Sequence, residues 1–532
     1  MNVLLSALGG ILLALAFPRY ELVFLTFFAF IPYFYVLEKA NLKKAFLYGT
    51  LFGWAAYLLS HTWIAFTVQE FGGFSKPLAI LTYIFFSLGS GTLFGFFGVL
   101  SLWLRKTSRL SWLIIYPVTY TVVEYLFPRL FPWYLASPFY KQIYFIQIVD
   151  IFGVYGMSFF IIFINVTFYQ LILCLFKKRE FPWIPVSISI LLSFAIFGYG
   201  YLRVENVLEA TTYKKPFEIA LLQTNVGNFE KSIEGQSHLS IVEQAHERNL
   251  SMIKEAAILH PDLIVLPETA VPGNFNLEQQ LRLRYMQEVS LHQTPLYLGS
   301  YAEETYNGEV HYFNSSYLIT PIQGIVGRYN KIYLLMFGEY LPLSSVFPSI
   351  KDWIKEVSNF TPGTRPRVFS INGEKLGALI CYEDLIPSHV RKTVRKGATF
   401  LLNIANDSWF GKTACPYQHL ALSVFRSVEH KVPLVRGTNT GISSFIEPTG
   451  EITQASELQV KTILHGGIKT PGIKTFYTRF GDWFPLLNCL FLLLALFPSK
   501  GEDHNVDHPS DYLKHNRWES LRRSFQNRIR WR

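Results

Sequence analysis

Charged residues are scarce in this chain. Asp, Glu, Lys and Arg together make up 16% of its 532 residues, whereas 50% of the residues are hydrophobic. Soluble proteins carry about 25% charged residues, so the composition argues against an ordinary soluble enzyme and favours a membrane protein. The length leaves room for two or three domains.

Cysteine is also rare, and its spacing argues against metal and disulfide chemistry. The chain has no Cys-x-x-Cys pair and no cysteine–histidine set at the spacing of a zinc site. We therefore expect neither a disulfide framework nor a metal or other cofactor. The four cysteines are Cys174, Cys381, Cys415 and Cys489.

The formal net charge of +10 is unevenly distributed. Lys and Arg lie at the ends of apolar segments and in the C-terminal tail, which is the distribution found beside a membrane. A nucleic-acid footprint would be a basic patch on a folded surface. We therefore expect no nucleic-acid partner.

Long apolar runs fill the first 203 residues. A helix needs about 20 residues to cross about 30 Å of hydrocarbon, so these runs predict seven transmembrane helices, the first, second and fifth at the short limit. The runs are 1–17, 21–37, 45–65, 78–103, 111–127, 147–175 and 183–202. No Lys or Arg precedes Arg19, so we do not expect a cleaved signal peptide.

Lys and Arg between the runs predict the orientation. With a cytoplasmic N-terminus, every inside loop is richer in basic residues than every outside loop, which satisfies the positive-inside rule. The inside residues are Lys39, Lys43, Lys44, Arg105, Lys106, Arg109, Lys177, Lys178 and Arg179, and the outside residues are Arg19, Lys76, Arg129 and Lys141. Residue 204 then lies outside, and an eighth run at 483–498 returns the chain to the cytoplasm.

The composition changes between residues 204 and 482, where turns, prolines and charges separate short strand-like runs. Together with helical spacing at 241–257 and 417–431, these runs predict a layered α/β domain with its active site at strand ends. The predicted strands are 217–226, 262–267, 295–301, 312–320, 375–381, 399–405 and 433–446. The basic tail at 499–532 either lies on the anionic cytoplasmic leaflet or is solvated.

The predicted organisation is therefore a membrane domain (1–203), an extracytoplasmic catalytic domain (204–482), an eighth transmembrane helix (483–498) and a basic tail (499–532). Apolar side chains at 333–337 and at 350, 353, 354, 357 and 360 predict a lipid-facing arm within the catalytic domain.

Cys381 ends an apolar strand-like run and is followed by Tyr382 and Glu383. A thiol at a strand end can act as a nucleophile at the mouth of a cleft, although a lone cysteine is more often part of a core. Glu268 follows another predicted strand, and Lys331 lies between the two. A Glu, a Lys and a Cys are the groups that acyl transfer through a thioester requires.

The chemistry assigns each group a role. A free thiol has a pKa of about 8.5, so a base such as Glu268 must take its proton, and Lys331 can stabilise the oxyanion. Each residue also has an ordinary alternative: Glu268 could cap a helix, Lys331 could be a solvated surface lysine, and Glu383 could pair with an arginine.

The motifs together resemble a known family. Those of the catalytic part lie at 267–269, 329–331, 337–340, 381–383, 406–411, 418–419, 438–441 and 479–483, and those of the membrane part at Glu124, 132–133, Gln147, Gly153 and 156–159. They resemble the nitrilase, or carbon-nitrogen hydrolase, superfamily with its Glu-Lys-Cys triad. Within that superfamily they are similar to its membrane-bound branch, the apolipoprotein N-acyltransferases of bacterial envelopes.

The resemblance implies an αββα catalytic domain on the periplasmic side of a bacterial inner membrane, acting as a monomer. It implies that Cys381 takes a fatty acyl chain from a phospholipid and passes it to the N-terminal amine of a diacylglyceryl-cysteine apolipoprotein. Glu268 would be the base and Lys331 the oxyanion stabiliser. Glu339 would hold Lys331, and Tyr382 and Glu383 would shape the pocket around the nucleophile.

Two alternatives share parts of the pattern. A membrane-tethered amidase or nitrilase would use the same triad but would let water deacylate Cys381. A non-catalytic scaffold or transporter would use the eight spans themselves. Few ionisable residues lie inside the spans, chiefly Glu124 and Asp150, and no internal repeat is visible, which argues against a transporter.

Overall fold

The computed structural model describes residues 1–177, 180–226, 238–341 and 359–496. It consists of an N-terminal helical bundle, a two-sheet α/β domain, and a final helix that packs back on the bundle. The predicted basic tail lies outside the described residues. So do residues 350, 353, 354 and 357 of the predicted apolar arm.

Helices form almost all of the N-terminal part. Their bounds are α1 (Asn2–Ala16), α2 (Ile31–Glu38), α3 (Leu42–Ser60), α4 (Trp63–Glu70), α5 (Lys76–Thr107), α6 (Trp112–Leu126), α7 (Ile143–Ile146), α8 (Val149–Lys177) and α9 (Trp183–Thr211). Helix α9 runs past the boundary predicted at residue 203, because its apolar face continues to pack beyond the last uncharged turn. The catalytic domain begins only after it.

The eight predicted runs are all at least partly helical, but they do not form eight clear spans. Within the described ranges, three helices are long and apolar enough to cross a membrane, namely α5, α8 and α9, and the pair α3 and α4, bent by 62°, would make a fourth. Helices α1 and α6 have 15 residues each, which corresponds to about 22 Å, less than the about 30 Å of hydrocarbon. The second run is interrupted, because the 3-10 segment Val23–Phe27 precedes α2.

Helix α8 is kinked at Gly153, whose φ of 65° is left-handed. A side chain there would meet the ring of Tyr477 at 2.8 Å. The kink therefore lets a segment of the catalytic domain, α14 (Phe476–Phe480), pack closely against the bundle. It is one of the points at which the two parts of the chain are joined.

Two β-sheets form the middle of the catalytic domain. The first has the order β13-β1-β2-β4-β5-β6 with β3 beside β4, and the second has the order β12-β11-β10-β9-β8-β7. The strands are β1 (Phe217–Gln223), β2 (Leu263–Val265), β3 (Val271–Asn274), β4 (Leu296–Tyr306), β5 (Glu309–Thr320), β6 (Gly324–Asn330), β7 (Val368–Ile371), β8 (Glu374–Ile380), β9 (Phe400–Ala405), β10 (Leu434–Thr438), β11 (Ser444–Ile446), β12 (Ile452–Ala455) and β13 (Thr462–Ile468).

The sheets pack face to face, with helices on both outer faces. Leu221, Val265, Ile380 and Leu402 belong to the core between the sheets. Helices α10 (His238–Ala257) and α11 (Gln279–His292) cover the first sheet. Helices α12 (Pro387–Arg395) and α13 (Cys415–His430) cover the second, and α15 (Trp483–Leu496) rejoins the bundle. The layered α/β prediction is confirmed.

Helix α13 is enclosed on all sides, because it lies between the second sheet and helix α8 of the bundle. Every residue from Cys415 to His430 except Tyr417 is buried. One apolar cluster accordingly runs from the bundle through α13 to the second sheet. The active-site side of the sandwich is therefore packed directly on the membrane part.

Some strand predictions were incomplete. The single strand predicted at 433–446 is two strands, β10 and β11, which pair antiparallel after a turn. Strands β3, β6, β7, β12 and β13 were not predicted, because they are short or lack a continuous apolar run. The missing β6 matters most, since Lys331 follows it directly.

Candidate active site

Cys381 follows the last residue of β8 and begins the 3-10 turn Cys381–Leu385. Its φ is 52°, a left-handed conformation that costs a non-glycine residue about 1–3 kcal/mol. Asn403 Nδ2 donates to the Cys381 carbonyl oxygen at 3.0 Å and so helps to hold this backbone. The side chain is 7% exposed. The nucleophile is thus presented by a strained, well-anchored turn.

Glu268 follows β2 and is also buried. Its Oε1 accepts from Lys331 Nζ at 3.1 Å and from Asn314 Nδ2 at 2.7 Å, and its Oε2 accepts from the backbone N–H of Asn406 at 2.8 Å. Gly299 on β4 permits the close approach, because a Cβ there would lie 2.5 Å from the carbonyl oxygen of Pro267. Every hydrogen bond made by this carboxylate points it toward the triad.

Lys331 lies between two carboxylates. Its Nζ is 3.1 Å from Glu268 Oε1 and 2.8 Å from Glu339 Oε2. Burial by itself lowers the pKa of Lys331, but Glu268 and Glu339 outweigh it and raise that pKa well above its ordinary value. Lys331 is therefore a fixed cation, and the predicted contact between Glu339 and Lys331 is present.

The thiol and the base have complementary electrostatics. Burial raises the pKa of the Cys381 thiol well above its ordinary value, and the nearby Glu268 carboxylate raises it further. Burial also raises the pKa of Glu268, opposed by Lys331. A neutral thiol beside a carboxylate of raised pKa is the arrangement in which the base takes the proton as sulfur attacks.

Asn314 completes the group, and the sequence did not single it out. It lies on β5, 3% exposed, and its Nδ2 donates to Glu268 Oε1 at 2.7 Å and to Glu339 Oε1 at 2.8 Å. One amide thereby ties the two carboxylates together. A buried polar residue inside a predicted strand was the only trace of it in the sequence.

Glu383 lies beneath the nucleophile rather than in the pocket. Its Oε1 accepts from the backbone N–H of Ile332 at 2.6 Å, and its Oε2 accepts from that of Ile380 at 2.8 Å, with Tyr329 Oη donating to both oxygens. Burial raises the pKa of Glu383 to about 7, although the N–H of Ile332 opposes this. The carboxylate thus clamps the segment after Lys331 to the strand that ends at Cys381.

Tyr382 joins the nucleophile's turn to the membrane part. Its Oη donates to the carbonyl oxygen of Leu130 at 2.7 Å, and its ring packs edge-on against Phe131. The predicted arm begins beside it, where Leu335 donates its N–H to Glu339 Oε2 at 2.8 Å and Phe337 is exposed. Tyr382 and Leu335 line the pocket next to Cys381, as the sequence led us to expect of Tyr382.

One pocket is shared by the nucleophile and the membrane part. Its lining includes Cys381, Tyr382 and Phe410 from the catalytic domain, and Trp63, Phe131 and Trp133 from the bundle. The lining is almost entirely apolar. An acyl chain that enters from the bilayer could therefore reach Cys381 without crossing a polar surface.

Similarity to known proteins follows the same division of the chain. The family description "Apolipoprotein N-acyltransferase N-terminal domain" matches residues 9–167, and "Carbon-nitrogen hydrolase" matches residues 219–475. An apolipoprotein N-acyltransferase of Geobacter metallireducens is 33% identical over 90% of this chain and 92% of its own length. The chain belongs to the apolipoprotein N-acyltransferase family. The resemblance seen in the sequence motifs is thereby confirmed.

Other members of the family, and a solved structure, are also similar to this chain. The apolipoprotein N-acyltransferase of Thermotoga maritima is 29% identical over 94% of each chain. An amidase of Nesterenkonia sp. AN1, solved with an acetamide moiety added to its active-site cysteine, is 16% identical, with a TM-score of 0.37, over 52% of this chain and 99% of that chain. The family therefore spans both parts of the chain, whereas the amidase matches about half of it.

Proposed function

We propose that this enzyme transfers a fatty acyl chain from a membrane phospholipid to the N-terminal amine of a diacylated apolipoprotein, through a thioester on Cys381. The observation that carries the proposal is the apolar pocket that Cys381 shares with Trp63, Phe131 and Trp133 of the bundle. Membership of the apolipoprotein N-acyltransferase family supports the same donor and acceptor.

In the acylation step, Glu268 takes the thiol proton as Cys381 Sγ attacks the ester carbonyl carbon of the phospholipid. Lys331 Nζ stabilises the oxyanion of the tetrahedral intermediate. The intermediate collapses when the carbon–oxygen bond to the glycerol breaks, and Glu268 returns its proton to that oxygen. The lysophospholipid leaves, and the acyl chain stays on sulfur.

In the transfer step, the neutral amine of the apolipoprotein attacks the thioester carbonyl. Glu268 accepts a proton from the nitrogen, Lys331 again stabilises the oxyanion, and the carbon–sulfur bond breaks. The proton returns to Sγ, so the enzyme ends as it began and no cofactor is consumed. The buried position of Cys381 disfavours attack by water, which separates this reaction from that of an amidase.

The acceptor distinguishes the proposal from the hydrolase alternative. Enzyme that has been acylated with labelled phospholipid should discharge its label onto a diacylated lipopeptide about 100-fold faster than onto water. The new product should be an amide that resists neutral hydroxylamine, whereas the label on the enzyme should be released by it. Discharge by water at the same rate as by lipopeptide would indicate a hydrolase.

We further propose that the catalytic domain lies on the periplasmic side of the inner membrane, with eight crossings and both termini in the cytoplasm. The excess of Lys and Arg in the inside loops supports this orientation. The short helices would need local thinning of the bilayer or tilted neighbours. Helix α9 ends at Thr211, so the domain boundary is proposed after that residue rather than at 203.

Reporter fusions test this topology. A reporter active only in the periplasm should be active when fused after Lys215 and silent when fused after Lys500, and a cytoplasmic reporter should give the opposite pattern. Cytoplasmic activity at Lys215 would contradict the orientation. An active periplasmic reporter at both sites would contradict the eighth crossing.

A further inference from the structure

A buried histidine lies beside the proposed acyl pocket. His419 on α13 is 5% exposed and lines the same pocket as Cys381. Its Nε2 is 2.9 Å from Asp384 Oδ1, and its Nδ1 is 3.2 Å from Asp407 Oδ1. Ionised carboxylate oxygens only accept hydrogen bonds, so both ring nitrogens must carry a proton. His419 is held as an imidazolium.

The charges around His419 are balanced. Arg436 on β10 donates to Asp384 Oδ2, and Ser423 Oγ donates to the same oxygen at 2.7 Å. Arg436 Nη2 also lies 3.9 Å from Asp407 Oδ2. The two carboxylates and the two cations cancel. The other titratable groups of the pocket lining are Cys381, Cys415 and Tyr382, with His61 from the bundle.

Protonation of His419 is consistent with this environment. Burial lowers the pKa of His419, and so does Arg436, but Asp384 and Asp407 outweigh both and raise it above the ordinary value. With both nitrogens occupied, the ring has no lone pair with which to act as a base. Although Cys415 lies one helical turn before it on α13, the pair cannot form a second nucleophilic dyad.

The two carboxylates belong to the two turns that build the active site. Asp384 lies in the turn that begins with Cys381, and Asp407 begins the turn Asp407–Phe410. The residue before Asp407 is Asn406, whose N–H donates to Glu268 Oε2 at 2.8 Å. His419 therefore connects the turn that carries the thiol with the turn that orients the base.

We infer that His419, as an imidazolium between Asp384 and Asp407, is a positioning residue that fixes Cys381 relative to Glu268. The inference rests on the proposed function for its reaction, but its geometric content concerns only the thiol and its base. It predicts that what matters at this site is a donor to each carboxylate together with charge balance. The imidazole itself is not a proton carrier.

The first variant is His419→Gln. Glutamine can donate to one carboxylate, but its amide oxygen then faces the other, and the cluster gains one uncompensated negative charge. Acylation of Cys381 by labelled phospholipid should be slowed about tenfold or more. Alkylation of Cys381 by iodoacetamide, followed by peptide mass spectrometry, should be slowed in parallel, because that reaction also needs the thiol proton removed.

The second variant restores the balance. In His419→Gln combined with Asp407→Asn, the amide of position 407 can donate to the glutamine oxygen, and the extra charge is removed. Both rates should return to within about threefold of wild type. The matched control is His430→Gln, a buried histidine on the same helix that contacts Thr478 Oγ1 at 2.7 Å and does not line the pocket. It should leave both rates near those of wild type.

The outcomes separate the hypotheses. Wild-type rates in His419→Gln, or a double variant no faster than the single one, would overturn the role of His419. If His419→Gln does not fold, Asp407→Asn alone decides: a neutral His419 can then accept from the asparagine amide, so rates near wild type are expected and a tenfold loss would contradict the inference. If wild-type enzyme is alkylated as expected but never acylated by phospholipid, the proposed function fails and the positioning role stands.

Discussion

Replacing Cys381 with alanine is expected to abolish acyl-enzyme formation completely. Enzyme given labelled phospholipid without an acceptor should accumulate label on wild type, because the lysophospholipid can leave before an amine arrives. The Ala variant has no sulfur to attack and should stay unlabelled. Scintillation counting of the denatured protein, before and after neutral hydroxylamine, measures both the amount and the linkage.

Serine at position 381 is expected to be nearly inactive. Burial already raises the pKa of the Cys381 thiol, and a hydroxyl is much harder to deprotonate beside the same carboxylate base. We expect a loss of at least about 1,000-fold in the rate of labelling. The activity that remains would be an oxygen ester, which is more resistant to hydroxylamine than a thioester.

Cys415 provides the matched control, because it is a second buried thiol in the same pocket. Both Cys381 and Cys415 are free thiols, but Cys415 begins α13 and has no Glu–Lys pair among its hydrogen-bond partners. Cys415→Ala should therefore be labelled at a rate within about threefold of wild type. Label on the Cys381→Ala variant, or its loss in Cys415→Ala, would mean that the nucleophile has been assigned to the wrong thiol.

The sequence predicted the triad but not the contacts that orient it. Glu268 and Cys381 were visible because each follows an apolar run at a predicted strand end, where chemistry collects in α/β sheets. Asn314 was not, because a polar side chain within a strand pattern is ordinarily assigned to the solvent face. Only pairing of β5 with β6 brings it beside Lys331, and pairing across a sheet depends on distant parts of the chain.

The role of Glu383 shows a second limit of the sequence. Its position after Cys381 suggested a pocket wall, yet the side chain turns inward and receives the N–H groups of Ile332 and Ile380. The reversal follows from the left-handed φ of Cys381, which begins a tight turn instead of continuing the strand. Backbone strain of this kind is imposed by the surrounding fold and has no local signature for a cysteine.

The membrane part was predicted by composition more accurately than by length. Each apolar run forms helix, but a window of hydrophobicity cannot show that α3 and α4 bend by 62° or that α8 breaks at Gly153. Both distortions occur where the bundle contacts the catalytic domain. Trp63, for example, begins α4 and donates through Nε1 to Gln418 Oε1 of α13 at 3.2 Å. Contact with the domain, rather than the bilayer alone, shapes these helices.

Replacing Lys331 with methionine is expected to lower the rate of acyl-enzyme formation by at least about 100-fold. Two effects combine. The oxyanion loses the donor that stabilises it, and Glu268 and Glu339 are left facing each other without a cation. Buried like charges at this distance cannot both stay ionised, so Glu268 tends to keep a proton and no longer acts as a base. Single-turnover labelling at several pH values measures the loss.

Lys431→Met is the control for removing a buried lysine. Lys431 is fully buried and lies 3.7 Å from Asp150 Oδ2, but Asp150 keeps Arg203 at 2.6 Å when Lys431 is removed. The control should cost stability without changing the rate of labelling by more than about threefold. An equal loss in both variants would show that any buried lysine is needed for folding, and would remove the evidence for a special role of Lys331.

Glu339→Gln distinguishes the two effects of losing Lys331. The variant should fold and insert normally, since Asn314 and Lys331 keep a hydrogen-bonding partner in the amide oxygen. It removes one of the two carboxylates that orient Lys331, and the amide nitrogen then faces the N–H of Leu335, which now donates to Glu339 Oε2. We expect labelling to be slowed about tenfold, less than in Lys331→Met, because the oxyanion donor is misplaced but still present. Turnover at the wild-type rate would mean that Glu268 and Asn314 alone hold Lys331 in place.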